Sequence, residues 1–237
     1  MMTTSSAVLV LCLTDDPFLP PASGAFGGSV NVMFNLGTYL VRRNKSVIYV
    51  VSSADNNDIS METIGTRCSI FRIPVQHDDG TEVKYFQYAP YIGKISSTCL
   101  ANLFGAAGRL TIDTIVSYNW NSGLVACELA KRTSIPHVHF VLALGNSRLL
   151  AGESDKKVNQ DWISAEEKIF SEADCIVAAS TSEVGEILSM YPTCPATKVT
   201  CIHLGVDTDV FSPRPRSVSD YVCWSSSRFA QGAEEIS

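Results

Sequence analysis

The sequence predicts an α/β protein built on a doubly wound parallel sheet, and three observations predict it. Short apolar, β-branched runs alternate with amphipathic segments along most of the chain. The first run, Ala7 to Leu13 (AVLVLCL), is too short to span a membrane and suits a strand buried on both faces. A glycine pair, Gly27-Gly28, then opens the next amphipathic segment, as expected where a parallel sheet passes from strand to helix.

The elements follow in order. Val30, Val32, Met33, Phe34, Leu36, Leu40 and Val41 form a broad helical face, closed by Arg42, Arg43 and Asn44. Val47 to Val51 is the second strand. Ser69 to Val75 is a third, ending in a polar loop from Gln76 to Glu82. Residues 83–110 divide between aromatic loop and helix. Ile112 to Ser117 is a strand, Gly123 to Arg132 a helix, and Pro136 to Leu142 a strand. The polar stretch Gly152 to Gln160 is expected to be a mobile loop. Trp162 to Ala173 is a helix with Ile163, Ile169 and Phe170 inward, followed by strand Cys175 to Ser180, helix Glu183 to Met190 and strand Val199 to His203. The loops at 14–29, 118–123, 142–161 and 180–183 each follow a strand, so they should share the carboxyl edge of the sheet. That edge is where such sheets bind ligands. Two glycines at a helix start let backbone approach a ligand, and the free N–H groups of a first turn favour an anion. A plain tight loop is the alternative.

Bulk properties narrow the classes. The 237 residues are 46% hydrophobic and 18% charged, with a net charge of -6, which describes a well-cored acidic protein without a nucleic-acid surface. Eight cysteines, at 12, 68, 99, 127, 175, 194, 201 and 223, sit singly with no CxxC pair. They read as mostly buried thiols of a reducing compartment. His137 and His139 alternate on one strand face, but no third ligand stands near, so no metal is expected. There is no basic leader and no long apolar span, so the expected location is the cytoplasm.

After Phe211 the texture changes. Residues 1–211 are expected to form one Rossmann-like domain, 212–219 (SPRPRSVS) a hinge, and 220–237 only the beginning of a second domain.

The segment GGSVNVMFNLGTYLVRRNKSVIYVVS resembles the opening of retaining GT-B glycosyltransferases of the family 4 type, where a Gly-Gly-x-x-Asn loop precedes a helix and a strand. DTIVSYNWNSG (113–123), PHVHFVLALG (136–145), EEKIFSEADCIVAASTSE (166–183) and GVDTDVFSP (205–213) resemble later family segments in the same order. The resemblance implies that this chain is the N-terminal, acceptor-side domain of a glycosyltransferase. Its donor would be a nucleotide-diphosphate sugar held mainly by a second domain, with the diphosphate and sugar reaching Gly27, Gly28 and Arg228. Asn31, Tyr118, Asn119 and Trp120 would contact the acceptor or the reacting groups. Main-chain and basic groups would stabilise the departing diphosphate without a metal. A separate or missing C-terminal domain, or self-association, would complete the cleft.

Three positions depart from the family pattern. A donor-contacting His is replaced by Leu142, an Arg four residues before Glu166 is replaced by Trp162, and the second domain's Gly-Arg-x-x-x-x-Lys-Gly motif is represented by SRFAQG (227–232), without its lysine. The catalytic residues are therefore left unassigned. Glu166 and Asp174 share the spacing of the family's carboxylate pair but fall in the wrong domain, so they receive no catalytic role. The alternatives are a non-catalytic small-molecule or partner-binding module, favoured by those departures, and a dinucleotide-binding enzyme. The last is disfavoured because GxGxxG is absent. In any version the domain-facing surface should expose apolar side chains.

Overall fold

The computed structural model describes residues 6–13, 28–53, 58–81, 83–84, 87–104, 111–152, 156–205 and 208. The chain divides into two compact units, residues 1–203 and 204–237. Every strand and helix among the described residues belongs to the first unit. The expected hinge at 212–219 and the beginning of a second domain at 220–237 lie outside the described residues.

The elements are β1 (Ser6–Leu11), α1 (Gly28–Arg42), β2 (Ser46–Ser53), β3 (Ser60–Ile64), β4 (Cys68–Pro74), α2 (Ile92–Leu103), β5 (Thr111–Tyr118) and α3 (Trp120–Thr133). They continue with β6 (His137–Phe140), α4 (Gly145–Leu150), α5 (Lys156–Glu172), β7 (Cys175–Ala178), α6 (Thr181–Met190) and β8 (Val199–Cys201). One sheet takes the order β3-β4-β2-β1-β5-β6-β7-β8. Every pairing is parallel except that of β3 with β4. The doubly wound sheet expected from the alternating runs is therefore present.

Four elements differ from expectation. Strand β3 (SMETI) has no apolar run because it is an exposed edge, held by antiparallel pairing and by Arg72 on Glu62 at 2.6 Å. The stretch expected as a loop at 152–160 begins α5 at Lys156, since polar residues such as Lys and Gln fill helices as readily as loops. The short helix α4 precedes it. Helix α3 starts at Trp120, three residues earlier than expected.

Two apolar layers cover the two faces of the sheet. Met33 of α1 packs with Val8, Val10, Val47, Tyr49, Val116 and Tyr118 on one. On the other, α2, α3, α5 and α6 bury Ile95, Val125, Ile169 and Ile187 against Leu9, Leu11, Ile48 and Ile115. Burial of β1 and β2 on both faces explains their unbroken apolar runs. Helix α1 ends as the Arg42–Asn44 signal predicts. Asn44 takes φ 61°, its N–H meets the Val41 carbonyl at 2.9 Å, and Lys45 N–H meets Leu40 at 3.0 Å. That is the two-bond left-handed cap that asparagine tolerates.

Candidate functional site

Strand order reverses between β1 and β5: the chain leaves β1 for α1 on one face and leaves β5 for α3 on the other. The carboxyl edge at such a reversal is the usual ligand position in sheets of this kind. Cys12 and Leu13 follow β1 there, and Asn119 follows β5.

The chain's departure from β1 is fixed on both sides. Leu13 N–H donates to Ser122 Oγ on α3 at 3.2 Å, bridging the point of reversal. Its carbonyl accepts from Ser52 N–H at 3.2 Å, from the Ser52 hydroxyl and from Tyr88 Oη at 3.3 Å. Leu13 and Ser122 are fully or nearly fully buried, so each of these bonds replaces water that cannot reach them. The segment leading to Gly27-Gly28 thus leaves from an anchored peptide. Sequence reading missed Ser122 in this role, because a serine in a helix's first turn carries no signal of a partner 109 residues away.

The expected site residues separate into three groups. Gly27 and Arg228 lie outside the described residues. Gly28 is the first residue of α1, and Asn31 stands exposed in the same turn. No heavy atom lies within 4 Å of where a Gly28 β carbon would be, so a side chain at the first position of this 15-residue helix would meet no neighbour. Tyr118, Asn119 and Trp120 were expected in a loop and are instead a strand end and a helix start. Tyr118 closes β5 at 1% exposure within the α1 layer, because the β5 pattern runs one residue further than its apolar run. Asn119 joins the two elements with φ 60° and ψ 153°, a conformation that costs a non-glycine residue roughly 1–3 kcal/mol. Trp120 opens α3 and is buried, and its indole N–H has no hydrogen-bond partner among the described residues.

The positions that depart from the family pattern have definite surroundings. Leu142 follows β6, half-buried in the layer that holds Val32 and Leu36 of α1. His139 is on the opposite face, where the Ser117 hydroxyl joins it to His137: Oγ lies 2.9 Å from His139 Nδ1 and 2.7 Å from His137 Nε2. Burial pushes both imidazoles below their ordinary range, His137 to about 4, so the pair is neutral. The two histidines share a face, as the alternation predicted, and are bound to serine within the core. Among the described residues, no group of three His, Cys, Asp or Glu side chains is placed to share a metal ion.

Trp162 donates its indole N–H to Glu166 Oε1 at 2.8 Å. The same carboxyl accepts from Gly145 N–H at 3.0 Å and from the Tyr191 hydroxyl. Burial raises Glu166 to about 7 against those three bonds. The Arg148 guanidinium lies 4.9 Å from the Trp162 ring centre, within cation–π range. Glu166 therefore holds the turn after β6 in place. Asp174 does separate work at the amino edge, accepting His137 N–H at 2.9 Å. Glu166 is thus bonded to Trp162, Gly145 and Tyr191, and Asp174 to the His137 main chain. On α4, Leu150 is 77% exposed and Leu149 is exposed beside it. No helix of the described residues is long and apolar enough to cross a membrane.

Residues 26–210 match the sequence profile of Glycosyltransferase Family 4. Among curated proteins, the chain is 24% identical over 215 residues to the D-inositol 3-phosphate glycosyltransferase of Gordonia bronchialis, covering 90% of this chain and 46% of that protein. To the enzyme of the same name from Kineococcus radiotolerans it is 27% identical over 222 residues, covering 88% and 47%. The chain thus spans about half the length of the curated relatives it matches. Among solved structures, sucrose-phosphate synthase from Thermosynechococcus elongatus superposes with a TM-score of 0.70 at 18% identity, over 88% of this chain and 50% of that one. Arabidopsis thaliana UGT89C1 complexed with UDP gives 0.54 at 11% identity, over 92% and 54%. Both share the α/β architecture, that of a GT-B N-terminal domain.

Proposed function

The chain belongs to Glycosyltransferase Family 4, and on that premise we propose that it forms the acceptor-side half of a retaining enzyme that moves a hexosyl group from a nucleotide-diphosphate sugar to a hydroxyl acceptor. The observation that supports this reading is the strand reversal between β1 and β5: α1 begins at Gly28 after β1, Asn119-Trp120 follow β5, and Leu13 is bonded to Ser122 at that point.

In this mechanism the first-turn N–H groups of α1, with Gly27 and Gly28 ahead of them, meet the donor diphosphate. As the bond to the sugar breaks, negative charge grows on the departing phosphate oxygen. Donors already aimed there stabilise it without reorganising, so the reading calls for no metal. Asn31 and Asn119 bind sugar or acceptor hydroxyls, while Trp120, buried at the start of α3, shapes the acceptor wall from within. Tyr118 supports Asn119 from beneath and does not touch the acceptor. The nucleotide and most of the donor are held by a second domain, so this chain alone turns over no sugar.

A second reading, a binding module without catalysis, is favoured by Leu142, whose apolar setting offers nothing to a donor sugar. Calorimetric titration with UDP-glucose and related nucleotide sugars separates the two. The 237-residue chain is titrated alone and then mixed with a polypeptide carrying the complementary half of a family member. Donor binding and product in the mixture are the expected result. Binding without product in every mixture would establish the second reading.

A further inference from the structure

Helix α4 begins without a cap of its own. Its N-cap residue is Leu144, whose side chain can accept nothing, and Gly145 and Asn146 supply the first N–H groups. Both are met from other elements. Gly145 N–H donates to Glu166 Oε2 of α5 at 3.0 Å, and Asn146 N–H donates at 3.4 Å to the hydroxyl of Tyr191, the residue that ends α6. Tyr191 in turn donates to the Glu166 carboxyl, which also accepts the Trp162 indole N–H at 2.8 Å. One carboxyl therefore joins α4, α5 and α6.

The fit at this junction is close. A β carbon on Gly145 would lie 3.1 Å from Ile163 Cγ1 and 3.2 Å from both Glu166 Oε2 and Trp162 Cδ1, so glycine lets the start of α4 rest directly on α5. Residues 141–144 join β6 to α4 at the carboxyl edge, and the junction fixes the far end of that segment. The titratable groups of the surrounding elements have partners of their own. The Arg148 guanidinium of α4 rests on the Trp162 ring, and Glu186 of α6 takes the Ser147 hydroxyl at 3.1 Å. His139 of β6 is held by Ser117, and Glu128 of α3 pairs with Lys168 at 3.4 Å.

We propose that Glu166 is a positioning residue that latches α4 and the turn after β6 onto α5, and that loss of its proton releases them. Burial raises the latched carboxyl from an ordinary 4.5 to about 7. Once α4 leaves α5, water reaches the carboxyl and the ordinary value returns. The latched state thus holds the proton more tightly than the released one. By linkage, latching is strongest while the proton is bound and weakens as pH rises between those two values. The latch belongs to this chain alone and needs neither donor nor second domain.

The test is hydrogen–deuterium exchange of the whole chain across about pH 5 to 8, read by mass spectrometry and corrected for the intrinsic pH dependence of exchange. Peptides covering residues 141–150 are compared with β1. Protection of α4 should fall about tenfold per pH unit between about pH 5 and 7 and level off above, while β1 changes less. Glu166→Gln, which keeps the shape and one carbonyl acceptor but has no proton to lose, should give a flat α4 profile. The wild-type profile decides by itself where the variant fails to fold. A flat wild-type profile at α4, a fall only in step with β1, or an unchanged slope in folded Glu166→Gln would each overturn the proposal.

Discussion

A β carbon on Gly37 would lie 1.7 Å from the Tyr49 hydroxyl oxygen. The phenol of β2 thus occupies the space that a side chain on α1 would need, and its hydroxyl donates to the Met33 carbonyl of the same helix at 3.0 Å. This contact sets how closely α1 rests on the sheet and hence where its first turn stands. Gly37→Ala should lower stability by about 1–3 kcal/mol through overpacking, read as a drop in thermal midpoint. Tyr49→Phe should not rescue it, since the ring carbon Cζ is itself only 2.5 Å from the added atom; full recovery in the double variant would contradict the geometry.

Ser122→Ala removes the acceptor of the buried Leu13 N–H. An unsatisfied buried donor costs about 1–3 kcal/mol, so the urea midpoint should fall. Because Leu13 is the point from which the chain leaves toward Gly27-Gly28, donor affinity in the complemented assay should weaken as well. Unchanged affinity beside a lowered midpoint would restrict Ser122 to a structural role.

The His137–Ser117–His139 cluster predicts acid lability. Both folded imidazoles titrate below their ordinary value, His137 near 4. Between about pH 6.5 and 4 the unfolded chain therefore binds more protons, and stability falls as pH falls. His139→Asn should flatten that decline in urea midpoints measured across the window. A slope no smaller than wild type would count against the neutral pair.

Glu166 predicts the opposite slope at higher pH. Its folded carboxyl is raised from an ordinary 4.5 to about 7, first by burial. The folded chain then binds more protons in that interval, and stability is lost as pH rises through it, by on the order of 3 kcal/mol in all. Glu166→Gln, uncharged throughout, should lose less between pH 5 and 8. Trp162→Phe removes one of the three donors to the carboxyl, so it should move the transition to still higher pH.

Most of the fold was legible in the residues. Continuous apolar runs such as Ala7 to Leu13 could only be strands covered on both faces, and Arg42-Arg43-Asn44 marked a helix end that the two-bond cap confirms. Strand β3 was not legible, because an exposed edge strand needs no apolar pattern. The candidate site was legible only in part. The motifs located Gly28 and Asn31 at a helix start, but the strand-to-helix passage at Tyr118, Asn119 and Trp120 read as loop. Its mixed polar and aromatic composition suits either.

By itself the sequence determined the alternation of buried strands and helices, the family, and which loops follow strands at the carboxyl edge. All of these rest on periodicity and local motif, which neighbouring residues carry among themselves. Only the tertiary structure decided that Ser122 anchors Leu13, that Trp162 and Tyr191 hold Glu166, and that Gly37 makes room for Tyr49. Those relationships join residues distant in the chain through close packing and hydrogen bonds hidden from water. Their partners exist only once the sheet has formed.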